Sequence, residues 1–124
     1  MRILLDTHVL LWWLADDPRL GSVMREVIGD ARNSVSVSAA TVWEMAIKSA
    51  LGKLTTPDDV AGELEAAGFD ELAVTTADAV DAGALPRHHD DPFDRMLIAQ
   101  AVRRDLTVLT VDRRFSEYDV RLLS

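Results

Sequence analysis

The segment His88–Leu97 reads His-His-Asp-Asp-Pro-Phe-Asp-Arg-Met-Leu and predicts an abrupt change from loop to helix. Pro92 suits the first helical position, where its missing N–H costs no hydrogen bond, and Asp91 before it suits the N-cap. Asp94 then takes the third helical position, with apolar residues three, four and seven positions later on the same face. A carboxylate therefore heads a core-facing stripe and requires a partner, such as a metal ion. Helix capping by Asp94 is the alternative.

Length and composition limit the class of protein. The chain has 124 residues, of which 48% are hydrophobic, and it has no cysteine. This length predicts a single domain, residues 1–124, with enough apolar side chains for its own core. The lack of cysteine excludes disulfides and thiolate metal sites. No apolar run approaches the ~20 residues of a membrane span or resembles a signal peptide, so we expect a soluble, cytoplasmic protein without membrane contact.

The net charge of −8 is concentrated in one segment. Residues 54–86 contain eight acidic residues and no lysine or arginine, whereas the rest of the chain is balanced. A solvated face is the simpler interpretation of this segment, and a docking surface for a basic partner is the other. The balanced remainder leaves basic groups that can meet a phosphate backbone.

Strand and helix patterns alternate along the chain. The predicted strands are Arg2–Asp6, Ser34–Ser38, Leu72–Val74, Leu106–Val111 and Val120–Leu123. The predicted helices are Thr7–Ala15, Gly21–Arg32, Ser38–Gly52, Thr56–Ala67, Thr76–Leu85 and Asp91–Arg104. This alternation predicts an α/β protein with a mostly parallel sheet of four or five strands and helices on both faces. We expect Leu106–Val111 to be the central strand, and Trp43, Ile47 and Leu51 to form the buried stripe of their helix.

Four acidic residues are predicted to converge at one edge of this sheet. In a parallel sheet, the C-terminal ends of the strands and the N-termini of the connecting helices share an edge. Asp6 and Asp112 each end a predicted strand, while Glu44 and Asp94 each lie near the start of a helix. Each residue also has a local alternative, which is capping for the aspartates and an ion pair with Lys48 for Glu44.

The chemistry of such a cluster favours a divalent cation. Crowded carboxylates repel one another, and a cation removes that repulsion. An all-oxygen ligand set suits Mg²⁺ or Mn²⁺, which can activate a water and hold phosphate oxygens during phosphodiester hydrolysis. For His88 and His89, solvent exposure or a local hydrogen bond is favoured over metal ligation, because both lie in the loop before the helix.

Four motifs cover nearly the whole chain in order. They are Leu5-Asp-Thr-His8, Val42-Trp-Glu-Met-Ala-Ile-Lys48, His89-Asp-Asp-Pro-Phe-Asp-Arg-Met-Leu-Ile-Ala99 and Thr110-Val-Asp112. Together they resemble the PIN-domain ribonucleases, and most closely the VapC-type toxins of bacterial toxin–antitoxin pairs. The resemblance implies a three-layer α/β/α sandwich, a Mg²⁺- or Mn²⁺-dependent endoribonuclease and a homodimer. It also implies a small antitoxin, encoded nearby, that blocks the acidic pocket with a basic side chain.

We therefore predict a metal-dependent endoribonuclease toxin. Asp6 and Asp94 are the principal metal ligands in this hypothesis, and Asp112 completes the site directly or through water. Glu44 orients or deprotonates the attacking water, or binds a second ion. Four further residues are predicted to contact the substrate: Thr7, Ser38, Arg95 and Thr110. The three hydroxyls lie beside the acidic residues and can also hydrogen-bond them or a bound water, and backbone capping is the alternative. For the arginine, a surface or interface salt bridge is the alternative.

Two other functions compete with this hypothesis. A phosphorylation receiver module has a similar length and alternation, but it needs an acidic pair after the first strand and a lysine late in the chain. Here Asp6 is followed by Thr7, and no lysine occurs after Lys53. A housekeeping RNA-processing PIN nuclease without an antitoxin is the second alternative, and the neighbouring gene distinguishes it from a toxin.

Overall fold

The computed structural model describes all residues, Met1–Ser124. Its strands are β1 (Arg2–Leu5), β2 (Ser34–Ser38), β3 (Asp70–Leu72), β4 (Thr107–Leu109) and β5 (Arg121–Leu123). Its helices are α1 (Thr7–Leu14), α2 (Ser22–Gly29), α3 (Ala39–Ala50), α4 (Val60–Ala66), α5 (Thr76–Ala84) and α6 (Pro92–Arg104), and a 3₁₀ helix spans Arg113–Glu117. None of these helices combines the length and hydropathy required to cross a lipid bilayer.

The five strands form one fully parallel sheet in the order β3-β2-β1-β4-β5. β1 is the central strand, with Leu4 paired to Ser36 on one side and to Val108 on the other. The expectation that Leu106–Val111 would be central is therefore wrong, because that run forms β4, between β1 and β5. A continuous apolar run indicates a strand that is buried on both faces of the sheet. It does not show which of the inner strands is the central one.

Helices cover both faces of the sheet and divide the core into two layers. One buried cluster includes Ile3 and Leu5 of β1, whereas Leu4 of the same strand belongs to a second cluster with Leu97 and Ile98 of α6. Successive residues of β1 point to opposite faces, as the two-residue period of a strand requires. The predicted three-layer α/β/α sandwich with a parallel sheet is confirmed.

The start of α6 follows the local signals of its sequence. The Asp91 carboxylate accepts hydrogen bonds from the N–H groups of Phe93 and Asp94, at 2.9 and 3.1 Å, and Pro92 occupies the first turn. The helix ends at Asp105, whose left-handed conformation (φ 55°) directs its N–H back to the last turn. Capping and proline placement thus fix the direction in which α6 leaves the sheet edge.

The buried face of α3 differs from the prediction. Trp43 and Leu51, which we expected in the core, are 64% and 63% exposed. The side of α3 that faces the protein instead carries Thr41, Glu44 and Met45, all buried. The predicted stripe was wrong for Trp43 and Leu51, because α3 packs on the protein through the side that carries Glu44 and Met45.

The acidic segment, residues 54–86, is not uniformly exposed to solvent. Six of its eight acidic residues are exposed, Asp81 is half-buried and Asp78 is fully buried. The Asp78 carboxylate bonds both Nη groups of Arg104, at 2.8 and 2.9 Å, and it completes a capping box with Thr75. The segment is therefore a solvated face only in part.

In the first half of this segment, α4 starts at Val60, four residues later than the predicted start at Thr56, and it has no buried residue.

Candidate functional site

Asp6 connects β1 to α1 at the C-terminal edge of the sheet. Its Oδ1 accepts a hydrogen bond from the N–H of Val9 at 2.8 Å, which caps α1, and its Oδ2 accepts one from the hydroxyl of Thr110. The side chain is buried, and burial raises the pKa of this carboxyl. Asp6 is consequently held by two neutral donors, and none of the salt bridges of the chain includes it.

Asp94 lies in the first turn of α6 beside a histidine ring. His89 Nε2 is 2.7 Å from Asp94 Oδ2, and the N–H of Asp91 points to Nδ1 of the same ring at 3.4 Å. This arrangement suits the tautomer in which Nε2 carries the proton and donates it to the carboxylate. Burial raises the pKa of Asp94 to about 6, although the bond from His89 acts in the opposite direction.

Asp112 follows β4 and caps the 3₁₀ helix. Its carboxylate forms a two-pronged ion pair with Arg114, with a shortest N–O distance of 2.7 Å, and its own N–H donates to Thr110 Oγ1 at 3.0 Å. The bond from Arg114 lowers the pKa of this carboxyl. Asp112 therefore does cap a helix, which was the alternative expected for it. Its carboxylate still lies at the edge of the sheet.

Glu44 is enclosed on the inner side of α3. Thr7 Oγ1 donates to its Oε1 at 2.6 Å, and Lys48 Nζ lies 2.5 Å from its Oε2. The ion pair expected as an alternative for Glu44 is thus formed, but between a buried carboxylate and a partly enclosed ammonium rather than at the surface. Both oxygens of Glu44 are held by donors of this chain.

The structure brings Asp94, Asp112 and a histidine together, and charge interactions connect Asp6 to both of these aspartates. Ligand atoms of His89, Asp94 and Asp112 all lie within 4.8 Å of one another. Besides burial, the charge of Asp112 raises the pKa of Asp6, and the charge of Asp6 raises that of Asp94, so these carboxylates lie close enough to repel. Carboxylate oxygens with one imidazole nitrogen are donors that Mg²⁺ and Mn²⁺ accept. This donor set fits a divalent cation, whose charge would relieve the repulsion.

His89 is the site residue that sequence reasoning ranked too low. Its ring is buried and bonds Asp94, while the His88 ring is 46% exposed and lies 3.8 Å from Glu117. The hydroxyl of Tyr118 accepts the N–H of His89 at 2.9 Å and donates to the carbonyl of Pro86 at 2.8 Å. A local hydrogen bond was one of the two outcomes expected for these histidines. The partner of this hydrogen bond, Asp94, depends on the position of the loop, which the bond between the His89 N–H and Tyr118 holds.

The three predicted hydroxyl residues divide into two groups. Thr7 and Thr110 are buried and donate to the acidic residues Glu44 and Asp6. Ser38 is also buried, but its Oγ accepts the N–H two residues later and caps α3, at 3.1 Å. The threonines therefore support the carboxylates directly, whereas the serine fixes the start of the helix that carries one of them.

The structure does not bring Arg95 to the acidic cluster. Its guanidinium is buried and donates to the carbonyls of Ala82, Leu85 and Pro86, each at 2.9 Å. These carbonyls belong to the end of α5 and to the loop that leads to His89. Arg95 thus ties this loop to α6, and neither a free guanidinium nor the expected surface salt bridge is found.

Comparison with known proteins agrees with this architecture. The PIN domain family model matches residues 3–121. The chain is 30% identical to Ribonuclease VapC22 of Mycobacterium tuberculosis, over 94% of this chain and 91% of that protein.

Solved structures share the fold at lower identity. VapBC2 from Rickettsia felis, bound to a DNA fragment from its promoter, matches with a TM-score of 0.73 and 14% identity over 99% of this chain and 98% of the other. DNA-bound VapBC from Salmonella typhimurium has a TM-score of 0.73 and 20% identity, with 99% and 97% covered. FitAcB from Neisseria gonorrhoeae has a TM-score of 0.66 and 23% identity, with 98% and 96% covered. From the matched family model, the near-full-length relative and the shared architecture, it follows that this chain belongs to the PIN domain family.

Proposed function

We propose that this protein is a Mg²⁺- or Mn²⁺-dependent endoribonuclease and the toxin of a toxin–antitoxin pair. The observation that carries the proposal is a group of acidic residues at one sheet edge, in a chain 30% identical to a ribonuclease. Ligand atoms of Asp94 and Asp112 lie within 4.8 Å of each other and of His89, and the charge of buried Asp6 acts on Asp94. Buried acidic residues without a cationic partner are costly unless a bound cation compensates them. The whole chain acts as one nuclease domain, residues 1–124, in this proposal.

The proposed roles follow from the contacts of each side chain. Asp6, Asp94 and Asp112 would hold the ion, and Thr110 and His89 would fix the first two of these carboxylates. A bound Mg²⁺ or Mn²⁺ supplies a water of lowered pKa and neutralises charge on the scissile phosphate. Glu44 would orient or deprotonate the attacking water.

The hydroxyl groups contribute to the substrate site mainly through the acids. Thr7 and Thr110 already donate to Glu44 and Asp6, and we propose that these bonds keep both carboxylates aimed at the RNA phosphate. Ser38 contributes by fixing the first turn of α3. Arg95 acts indirectly, because its guanidinium donates hydrogen bonds to carbonyl groups of the loop that leads to His89.

We propose that a cognate antitoxin binds this chain, and an acidic groove is the surface that suits it. The groove has a volume of about 400 Å³ and lies between β2, α3 and α4. Its floor is apolar, with Val42, Leu64 and Phe69, and Glu65 and Glu71 lie at its margin. An apolar floor with an acidic margin complements a basic amphipathic segment. The similar VapBC and FitAcB structures carry the names of toxin–antitoxin complexes, which supports the same kind of partner here.

We further propose a homodimer formed through an apolar face next to the acidic cluster. Trp43 and Phe93 pack edge to face, with ring centroids 5.7 Å apart, and they line a depression of about 490 Å³ together with Val74 and Met96. Trp43 precedes Glu44 in the sequence, and Phe93 precedes Asp94. A second copy seated on this face would bring the two acidic clusters to the same side of the dimer.

The direct test is RNA cleavage by the purified chain. We expect a single-stranded RNA to be cut with Mg²⁺ or Mn²⁺, and cutting to stop with EDTA or in the Asp94→Asn variant. The matched control is Asp58→Asn, which makes the same chemical change at an exposed residue. Full activity of Asp94→Asn would refute the metal mechanism. Growth arrest on induction, relieved by the adjoining gene, distinguishes a toxin from a housekeeping nuclease.

A further inference from the structure

The carboxylate of Glu44 differs from the other acids of the cluster in its partners. Its Oε1 accepts from the neutral hydroxyl of Thr7, but its Oε2 lies 2.5 Å from the ammonium of Lys48. The Glu44 side chain is 4% exposed and that of Lys48 is 35% exposed, so water screens this ion pair only in part. A positive charge is therefore built into the side of the site where Glu44 lies.

The ammonium of Lys48 also faces the rest of the cluster. The bond to Glu44 raises its pKa most, and the charges of Asp91 and Asp94 raise it further. Lys48 thus stays protonated and lies among three acidic residues. Only one other lysine, Lys53, occurs in the chain, and it is exposed.

The three proposed metal ligands are free of such a fixed cation. Asp6 is held by a hydroxyl and a backbone N–H, and Asp94 by the His89 ring. Asp112 does pair with Arg114, but that side chain is 59% exposed and joins its partner only two residues away, so it can turn into solvent. The pair of Lys48 and Glu44 is more enclosed, because the lysine side chain is 35% exposed and the carboxylate only 4%.

From these contacts we infer that Lys48 keeps Glu44 out of the coordination sphere, so that the chain binds one divalent cation through Asp6, Asp94 and Asp112. The ammonium occupies the place of a second ion and repels one that approaches Glu44. Glu44 then acts as a positioning residue toward water or phosphate. This inference rests on the proposed metal centre, and it selects one of the two roles that the sequence left open for Glu44.

Mn²⁺ binding to the full-length protein tests the inference without any RNA. Titration followed by electron paramagnetic resonance of free Mn²⁺ counts the bound ions. We expect one Mn²⁺ per wild-type chain, and a second Mn²⁺ in Lys48→Met, bound at least roughly tenfold more tightly than any second ion in the wild type. Lys53→Met makes the same change of charge at an exposed position and should still bind one ion. Lys48→Arg keeps the cation and should also bind one.

Variants of Glu44 complete the test. In Glu44→Gln the first Mn²⁺ should bind within about twofold of the wild-type affinity, since Glu44 is not a ligand. The double variant Glu44→Gln/Lys48→Met should return to one ion, because the second site requires the freed carboxylate. Circular dichroism checks that each variant is folded, and Lys48→Gln replaces Lys48→Met if the methionine variant is not.

Several outcomes would overturn the inference. They are two ions in the wild type, no Mn²⁺ binding at all, an unchanged count in folded neutral variants of Lys48, or loss of the first ion in Glu44→Gln. The proposed function fails separately, because a chain that binds one Mn²⁺ as described but cuts no RNA would refute the nuclease and leave the role of Lys48 standing.

Discussion

His89 Nε2 lies 2.7 Å from Asp94 Oδ2, and the main chain of the same histidine is anchored by the Tyr118 hydroxyl. This pair connects the acidic cluster to the loop between α5 and α6. Partners of this kind fix the orientation of a metal-binding carboxylate, and their loss typically costs about 10–100-fold in metal affinity or activity.

The His89→Gln variant should therefore cut RNA about 10–100-fold more slowly than the wild type, because Asp94 loses its orienting bond. The measurement is the initial rate of cleavage of a labelled RNA at saturating Mg²⁺. His88→Gln is the matched control, because the neighbouring ring is 46% exposed and forms no bond to Asp94, and it should retain the wild-type rate. Equal rates for both variants would show that Asp94 needs no support from the loop.

Local signals and parallel topology were enough to predict that Asp6, Asp94 and Asp112 lie near one another at one edge of the sheet. Asp91 and Pro92 are enough to predict where α6 starts. The edge that strand ends and helix starts share in a parallel sheet brings Asp6 close to Asp94. The contact of His89 with Asp94 was not predictable in this way, since the His89 main chain is held by the hydroxyl of Tyr118, which lies 29 residues further along the chain. The exposure of Trp43 and Leu51 on α3 was not predictable for a related reason. The orientation of a helix is set by the sheet on which it packs.

The metal-free protein should become less stable as the pH rises from about 5 to 8. Burial raises the pKa of Asp94 to about 6 and also raises that of Asp6. A carboxyl with a higher pKa in the folded chain binds its proton more tightly there, so its stabilising contribution is present at low pH and is lost as the pH rises through about 6. For Asp94, a shift from 3.8 to about 6 corresponds to about 3 kcal/mol in total, of which about 1.4 kcal/mol is lost above pH 5.

Urea unfolding in EDTA at about pH 5 and pH 8 measures this difference in the free energy of unfolding. Asp94→Asn should flatten the pH dependence and be the more stable protein at the higher pH, because the buried charge is gone. Loss of the ion pair of Asp78 in acid does not affect this comparison. The bond to Arg104 lowers the pKa of Asp78, so this carboxylate is protonated only below the pH range measured. A wild-type stability that increases between these two pH values would contradict the argument.

Two aspartates one turn apart on α5 should differ sharply in their contribution to stability. Asp78 is fully buried and bonds both Nη groups of Arg104, whereas Asp81 pairs with Arg103 at the surface. Asp78→Ala should lower the free energy of unfolding by about 3 kcal/mol, because it leaves a partly buried guanidinium unpaired and removes a cap. Asp81→Ala should cost less than about 1 kcal/mol. Chemical denaturation of both variants provides the comparison, and similar losses would disprove it.

Charge reversal at the margin of the acidic groove should weaken antitoxin binding. Glu65→Lys and Glu71→Lys each replace attraction of a basic segment by repulsion, so we expect the dissociation constant to rise at least roughly tenfold for the double variant. Calorimetry with the protein from the adjoining gene measures it, and RNA cleavage without that protein should stay unchanged. Glu26→Lys on α2 is the control, because that exposed residue lies outside the groove. Undiminished binding by the double variant would place the partner elsewhere.

Trp43→Glu should convert the proposed homodimer into a monomer. The indole is 64% exposed in the single chain and packs against Phe93 at the centre of the apolar depression. A carboxylate introduced there would be buried without a partner in the dimer and freely hydrated in the monomer, so the equilibrium shifts to the monomer. Light scattering during gel filtration over a range of concentrations reports the mass directly. Leu51→Glu introduces the same charge on the same helix at a residue that is 63% exposed and outside the depression, and it should leave the dimer intact. A monomeric wild type, or a dimeric Trp43→Glu variant, would assign this face to a different partner.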